Sequence, residues 1–153
     1  MPDQALTNTI KSALTGDALQ NALGFVDFLA INGFAVNGSE VSHHGKTVCY
    51  MHLDSSSDYP SPWTIWTDGD YSGAPAGMPI SDQTKETAWE NVNICAGCGG
   101  GCAPGQRKTI FGKAFDNVCS ADMAFYMPNA DALACVKTLL QIRKHTLSAG
   151  AGA

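Results

Sequence analysis

Lys46-Thr47-Val48-Cys49-Tyr50-Met51-His52-Leu53 alternates without a break, with Val48, Tyr50 and His52 on one face and Cys49, Met51 and Leu53 on the other. A period of two held this long reads as a β-strand with both faces in use. Its flanks extend the pattern. His44-Gly45 is a turn signal just upstream, and before it Phe34 to Val41 carries Asn37-Gly38, which predicts a strand or two with a bend. Downstream, the polar run Asp54-Ser55-Ser56-Ser57-Asp58 leads through Pro60 and Pro62 into Trp63-Thr64-Ile65-Trp66-Thr67, a second strand. Together these pieces predict an antiparallel meander.

Helical spacing takes over on either side. Leu6, Ile10 and Leu14 form an apolar stripe that Thr15-Gly16-Asp17 interrupts, offering the N-cap of a second helix. That helix carries Leu19, Ala22, Leu23, Phe25, Val26 and Leu29 on its face and stops at Asn32-Gly33. A loop over 68–80 is rich in glycine and proline and long enough to serve as a lid or binding loop. Ser81 caps a helix reaching about Val92, with Ala88, Trp89 and Val92 turned inward. Strands are predicted at Thr109 to Phe111 and Cys119 to Met127, with a turn at Gly112. Pro128-Asn129 then starts a last helix from Ala130 to about His145. Leu133, Cys135, Val136, Leu139, Leu140 and Ile142 give it one broad apolar face. The predicted fold is α+β: an antiparallel sheet with an N-terminal helical hairpin, a middle helix and a C-terminal helix, plus a Cys-rich metal loop. Residues 1–147 are read as a single domain and 148–153 as a flexible tail.

Composition narrows the class. The chain has 153 residues, 44% of them hydrophobic and 15% charged, which fits a globular domain and excludes disorder. A net charge of −5 leaves no strong basic footprint for nucleic acid or an anionic membrane. Arg107, Lys108 and Lys113 do cluster after the thiol loop, and Lys137, Arg143 and Lys144 in the last helix. A local basic docking patch is therefore one reading and a solvated surface the other. Met1-Pro2-Asp3-Gln4 has no basic n-region and no apolar h-region follows it, so a cytoplasmic location with reduced thiols is expected.

The chemistry-bearing stretch is Cys95-Ala96-Gly97-Cys98-Gly99-Gly100-Gly101-Cys102, followed by Cys119 after sixteen intervening residues. Cys95-x2-Cys98 is the spacing of a thiolate knuckle, and the glycines let the backbone wrap around an ion. Four thiolates at about 2.3 Å would close a tetrahedral zinc site with no position left for water. Such a site is structural. The spacing is not that of a zinc ribbon, a histidine could replace one thiol, and an iron–sulfur cluster also uses four thiolates. A redox dithiol at Cys95 and Cys98, or free or disulfide-bonded thiols, are the other readings. Cys49 and Cys135 lie on apolar faces and read as core residues.

Other constellations are weaker. Trp63 and Trp66 differ by an odd number, so a regular strand sends one into the core and turns the other toward the 68–80 loop. With Asp68, Asp70 and Tyr71 this suggests a pocket for a small cationic or amphipathic molecule; a core with a turn beside it is the alternative. His44 and His52 could form a second metal or acid–base site if the meander brought them together, whereas loop histidines are usually solvated. His145 fits the C-terminal end of its helix. Gly45-Lys46-Thr47 and Gly112-Lys113 resemble the end of a phosphate loop, but Glu40 and Arg107 stand where its first glycine belongs.

The run Cys95 to Cys98, Cys102-Ala-Pro-Gly105, Thr109-Ile-Phe-Gly-Lys113 and Phe115-Asp-Asn-Val-Cys119 resembles a group of small uncharacterised proteins of anaerobic gut bacteria. Trp63-Thr-Ile-Trp66 and Asn129-Ala-Asp131 share that likeness, which implies a bacterial cytosol and points to no particular activity. In element order alone the chain also looks like YjbR-type domains, and fold does not fix function. The residues point first to a zinc-stabilised binding domain of small-molecule ligand, with a thiol enzyme or a protein-interaction module as rivals.

Overall fold

A computed structural model describes residues 4–53, 62–67, 69, 71–73, 75, 77–95 and 105–151. Among the described residues, four helices and seven strands follow the chain. They are α1 Gln4–Ala13, α2 Gly16–Ile31, β1 Ala35–Asn37, β2 Glu40–His43, β3 Lys46–Leu53, β4 Trp63–Thr67, α3 Asp82–Glu90, β5 Val92–Ile94, β6 Gln106–Ile110, β7 Lys113–Tyr126 and α4 Ala130–Ala151. The class is α+β. All strand pairs are antiparallel, in the order β1-β2-β3-β4-β7-β5, with β6 paired to β7 as well.

Local chemistry sets the joints. Asn32 ends α2 and Gly33 takes a left-handed φ of +78°. His44 (φ 52°) and Gly45 (φ 75°) turn β2 into β3, and Phe111 (φ 47°) with Gly112 (φ 84°) turn β6 into β7. Two successive positive φ angles match the right-handed twist of a two-residue hairpin. Ser81 caps α3 by accepting from the Thr84 amide at 3.1 Å, and Asn129 caps α4 by accepting from Ala132 at 2.9 Å.

The core is continuous. β3 occupies the residues expected of it, and Cys49 and Met51 are buried beside Thr67 and Ile65 of β4. On its other face Val48 is buried while Tyr50 and His52 are half-buried. The whole expected face of α4 is buried: Leu133, Cys135, Val136, Leu139, Leu140 and Ile142. Each side chain of Leu or Ile size adds roughly 1.5–3 kcal/mol of burial. α4 packs against α2, α3 and β3, and α1 against α2 and β3.

Several boundaries differ from the sequence reading. α3 ends at Glu90, and Val92 opens a strand instead of closing a helix. β7 begins at Lys113, six residues before Cys119. α4 runs on to Ala151, so 148–151 is helix and not tail, and His145 sits inside the helix rather than at its end. Without a glycine or proline before Gly150, nothing in the sequence stops α4 earlier.

Candidate functional site

β7 is fourteen residues long and is not straight. Along one edge Lys108 pairs with Phe115 and Gln106 with Val118, so two steps on β6 face three on β7. The extra residue is accommodated at Asn117, whose φ is 59°. Asparagine is the non-glycine residue that takes this conformation most readily, and a residue in it is the mark of a bulge. Along the opposite edge Val92 pairs with Met123 and Ile94 with Val118, so two steps on β5 face five on β7. Cys119, Ser120, Ala121 and Asp122 form the resulting wide bulge.

The polar groups of that bulge are met by side chains. Asn93 Nδ2 donates to the Ala121 carbonyl at 3.0 Å, and Lys108 Nζ donates to the Cys119 carbonyl at 3.2 Å. Asp122 is buried and accepts from Thr67 Oγ1 at 2.7 Å. A bulge leaves ladder groups without their regular partners, and the Asn93 and Lys108 side chains supply partners for two of its carbonyls.

Asn117 also holds the foot of the cysteine loop. The Cys95 amide donates to the Asn117 carbonyl at 2.7 Å, and Asn117 Nδ2 donates back to the Cys95 carbonyl at 2.9 Å. Gly105, at the loop's other end, lies so close that a Cβ there would come within 2.5 Å of the Asn117 backbone. Only glycine fits. Cys95 and Gly105, which flank residues 96–104, therefore both meet one residue, two positions ahead of Cys119. Cys95 and Cys119 are half-buried free thiols. Cys98 and Cys102 lie outside the described residues. Among the described residues no three His, Cys, Asp or Glu side chains gather as a metal-holding group.

Cys49 and Cys135 are buried in the core, as expected. Burial pushes the Cys49 thiol far up and the Cys135 thiol up to about 12, because a thiolate there would lose its hydration. Neither offers a nucleophile at neutral pH.

The aromatic residues divide. Trp63 and Tyr71 belong to the core, while Trp66 lies on the other face of β4, opposite Tyr50 in register, with its ring 5.8 Å from that of His52. Tyr71 packs on Phe111, with ring centres 6.4 Å apart. The Phe111 and Gly112 amides donate to the carbonyls of Tyr71 and Ser72 at 2.7 and 3.2 Å, fastening the tip of the β6–β7 hairpin to this loop. Between them opens a cleft of about 390 Å³ lined by Gly69, Tyr71, Ser72, Lys108, Thr109 and Ile110. Trp63 and Trp66 do not line it, and Asp68 and Asp70 lie outside the described residues.

The histidines form no shared site. His44 occupies the β2–β3 turn and His52 lies eight residues on along β3, a separation of roughly 25 Å at strand rise. His43 is buried instead, 5.6 Å from Phe34, with the ring of His44 4.1 Å away. Four of the basic residues, Arg107, Lys113, Arg143 and Lys144, have partners of their own. Arg107 pairs with Asp116 at 2.8 Å, both exposed, a contact worth at most about 1 kcal/mol. Lys113 lies over the Trp89 and Phe115 rings at 5.2 and 5.5 Å. Arg143 donates to the Thr47 carbonyl at 3.2 Å and Lys144 to the Asn32 carbonyl at 2.6 Å.

Sequence reading did not single out Asn93, Asn117 or Asp122. Asp116-Asn117 is the available signal, a pair rich in left-handed conformers between the apolar pairs Ala114-Phe115 and Val118-Cys119. No protein-family model, curated protein or solved structure matches the chain. No helix among the described residues is long and apolar enough to cross a membrane.

Proposed function

We propose that this chain is a small binding domain whose cysteine loop is clasped by a metal ion, most simply zinc, on the thiolates of Cys95, Cys98, Cys102 and Cys119. The observation that carries the reading is the meeting of Cys95 and Gly105, which flank 96–104, on Asn117, two residues before Cys119. The stretch from Cys95 to Gly105, which carries three thiols, thereby meets the sheet beside the fourth. Soft thiolate ligands favour zinc or an iron–sulfur cluster over hard cations. A four-thiolate zinc ion leaves no site for water, so its work is to order the glycines between the thiols. The binding surface then lies next to this clasp, in the cleft between the 69–72 segment and β6.

Metal analysis of protein purified under reducing conditions without added metal tests the clasp, with about one zinc per chain expected. Iron with acid-labile sulfide would replace zinc by a cluster on the same ligands. Less than about half an equivalent of either overturns the reading. A metal-free protein in which Cys95 or Cys98 alkylates rapidly at neutral pH would establish the thiol-enzyme alternative in its place.

A further inference from the structure

We infer that the cleft beside the clasp takes a small organic anion, with Lys108 as its charge anchor. This names the ligand class of the binding surface proposed above and rests on that reading of the domain as a binder. Three basic residues follow the cysteine loop, and two are neutralised or covered: Arg107 by Asp116, Lys113 by two aromatic rings. Lys108 differs. It is partly buried, and among the described residues its hydrogen-bond partner is the neutral carbonyl of Cys119.

An ammonium has three donors, and a partly buried one with no counter-charge among the described residues is held at a cost that an incoming anion lowers. The ammonium-bearing residue lines the cleft together with the hydroxyl-bearing Ser72 and Thr109. Ile110 and Tyr71 supply an apolar wall. A cleft of about 390 Å³ is within the range that small-molecule sites occupy. The chemistry that fits is one oxyanion group on a small ring or short apolar body. Lysine acts as a point charge, so carboxylate and phosphate are both accommodated.

Amide chemical-shift titrations of the full chain with phenyl phosphate, benzoate and neutral benzyl alcohol decide the matter. Saturable shifts centred on Gly69, Ser72, Thr109 and Ile110 are expected with one or both anions and not with the alcohol. The stronger of the two anions identifies the head group. Lys108→Gln keeps a donor for the Cys119 carbonyl but loses the charge, and should weaken anion binding about tenfold or more, while Lys113→Met leaves it unchanged. Should the Lys108 variant not fold, the wild-type titration repeated at raised salt gives the same answer, because screening weakens a charge-anchored complex. No saturable anion shifts, equal binding by the alcohol, undiminished affinity in Lys108→Gln, or indifference to salt would each overturn the assignment. Metal content is measured separately, so a missing clasp and a missing anion site are told apart.

Discussion

Asn117 does three things at once: it takes a left-handed conformation, hydrogen-bonds Cys95 in both directions and packs against Gly105. A β-branched residue there would meet the left-handed penalty of about 1–2 kcal/mol and lose the side-chain bond as well. Asn117→Val should therefore destabilise the protein by about 2 kcal/mol in urea unfolding, and Asn117→Gly by clearly less, since glycine accepts the same φ. The cysteines divide just as sharply. In metal-free protein, iodoacetamide should label Cys95 and Cys119 and spare Cys49 and Cys135 until the chain is unfolded, as read by peptide mass spectrometry. Cys135 also predicts an alkaline effect. Its folded value is raised from 9.0 to about 12, so the folded state holds the proton more tightly than the unfolded chain. That contribution is complete below about pH 9 and is lost as pH climbs toward 12. The stability difference between wild type and Cys135→Ala should stay constant up to pH 9 and shrink above it.

At the level of elements, strand β3 and the buried face of α4 were legible because their periods are uninterrupted and their packing follows from period alone. β7 was not. Its two bulges break the alternation, and Asp116-Asn117 reads locally as a turn, so the strand seemed to begin only at Cys119. β5 is three residues long, too short for any periodic signal, and exists because β7 offers it an edge. The odd spacing of Trp63 and Trp66 was informative about faces but silent about what each face meets. Trp63→Ala should cost about 3–5 kcal/mol, as for a large core side chain, and Trp66→Ala less than half of that, measured by thermal or denaturant unfolding.

For the molecule as a whole, the α+β class and most of the core could be read in advance, whereas the site could be read only as a list of ligands. Thiol spacing says which atoms are available to a metal. It cannot say that Cys95 and Gly105 converge on a bulge residue, Asn117, fifteen positions beyond the last of the clustered thiols, since that depends on long-range strand pairing. On the proposed reading, chelation under reducing conditions should lower the melting temperature by several degrees while far-ultraviolet circular dichroism at low temperature barely changes, because the helices and strands among the described residues share a core of their own. An unchanged melting temperature would separate the loop from folding stability altogether.

The pairing order carries one more consequence. The strands at the two ends of the sheet, β1 and β5, are three residues each, and β6 exposes five residues that include Arg107 and Lys108. Long, flat, uncharged borders are where one chain can zip onto another and start a fibril. Here the longest strand, β7, is shielded by neighbours on both sides, and what remains outside is short or charged. The length of β7 lets β4 and β6 share one of its edges while β5 takes the other, so among the described residues the longest strand offers no free border on which a second copy could grow.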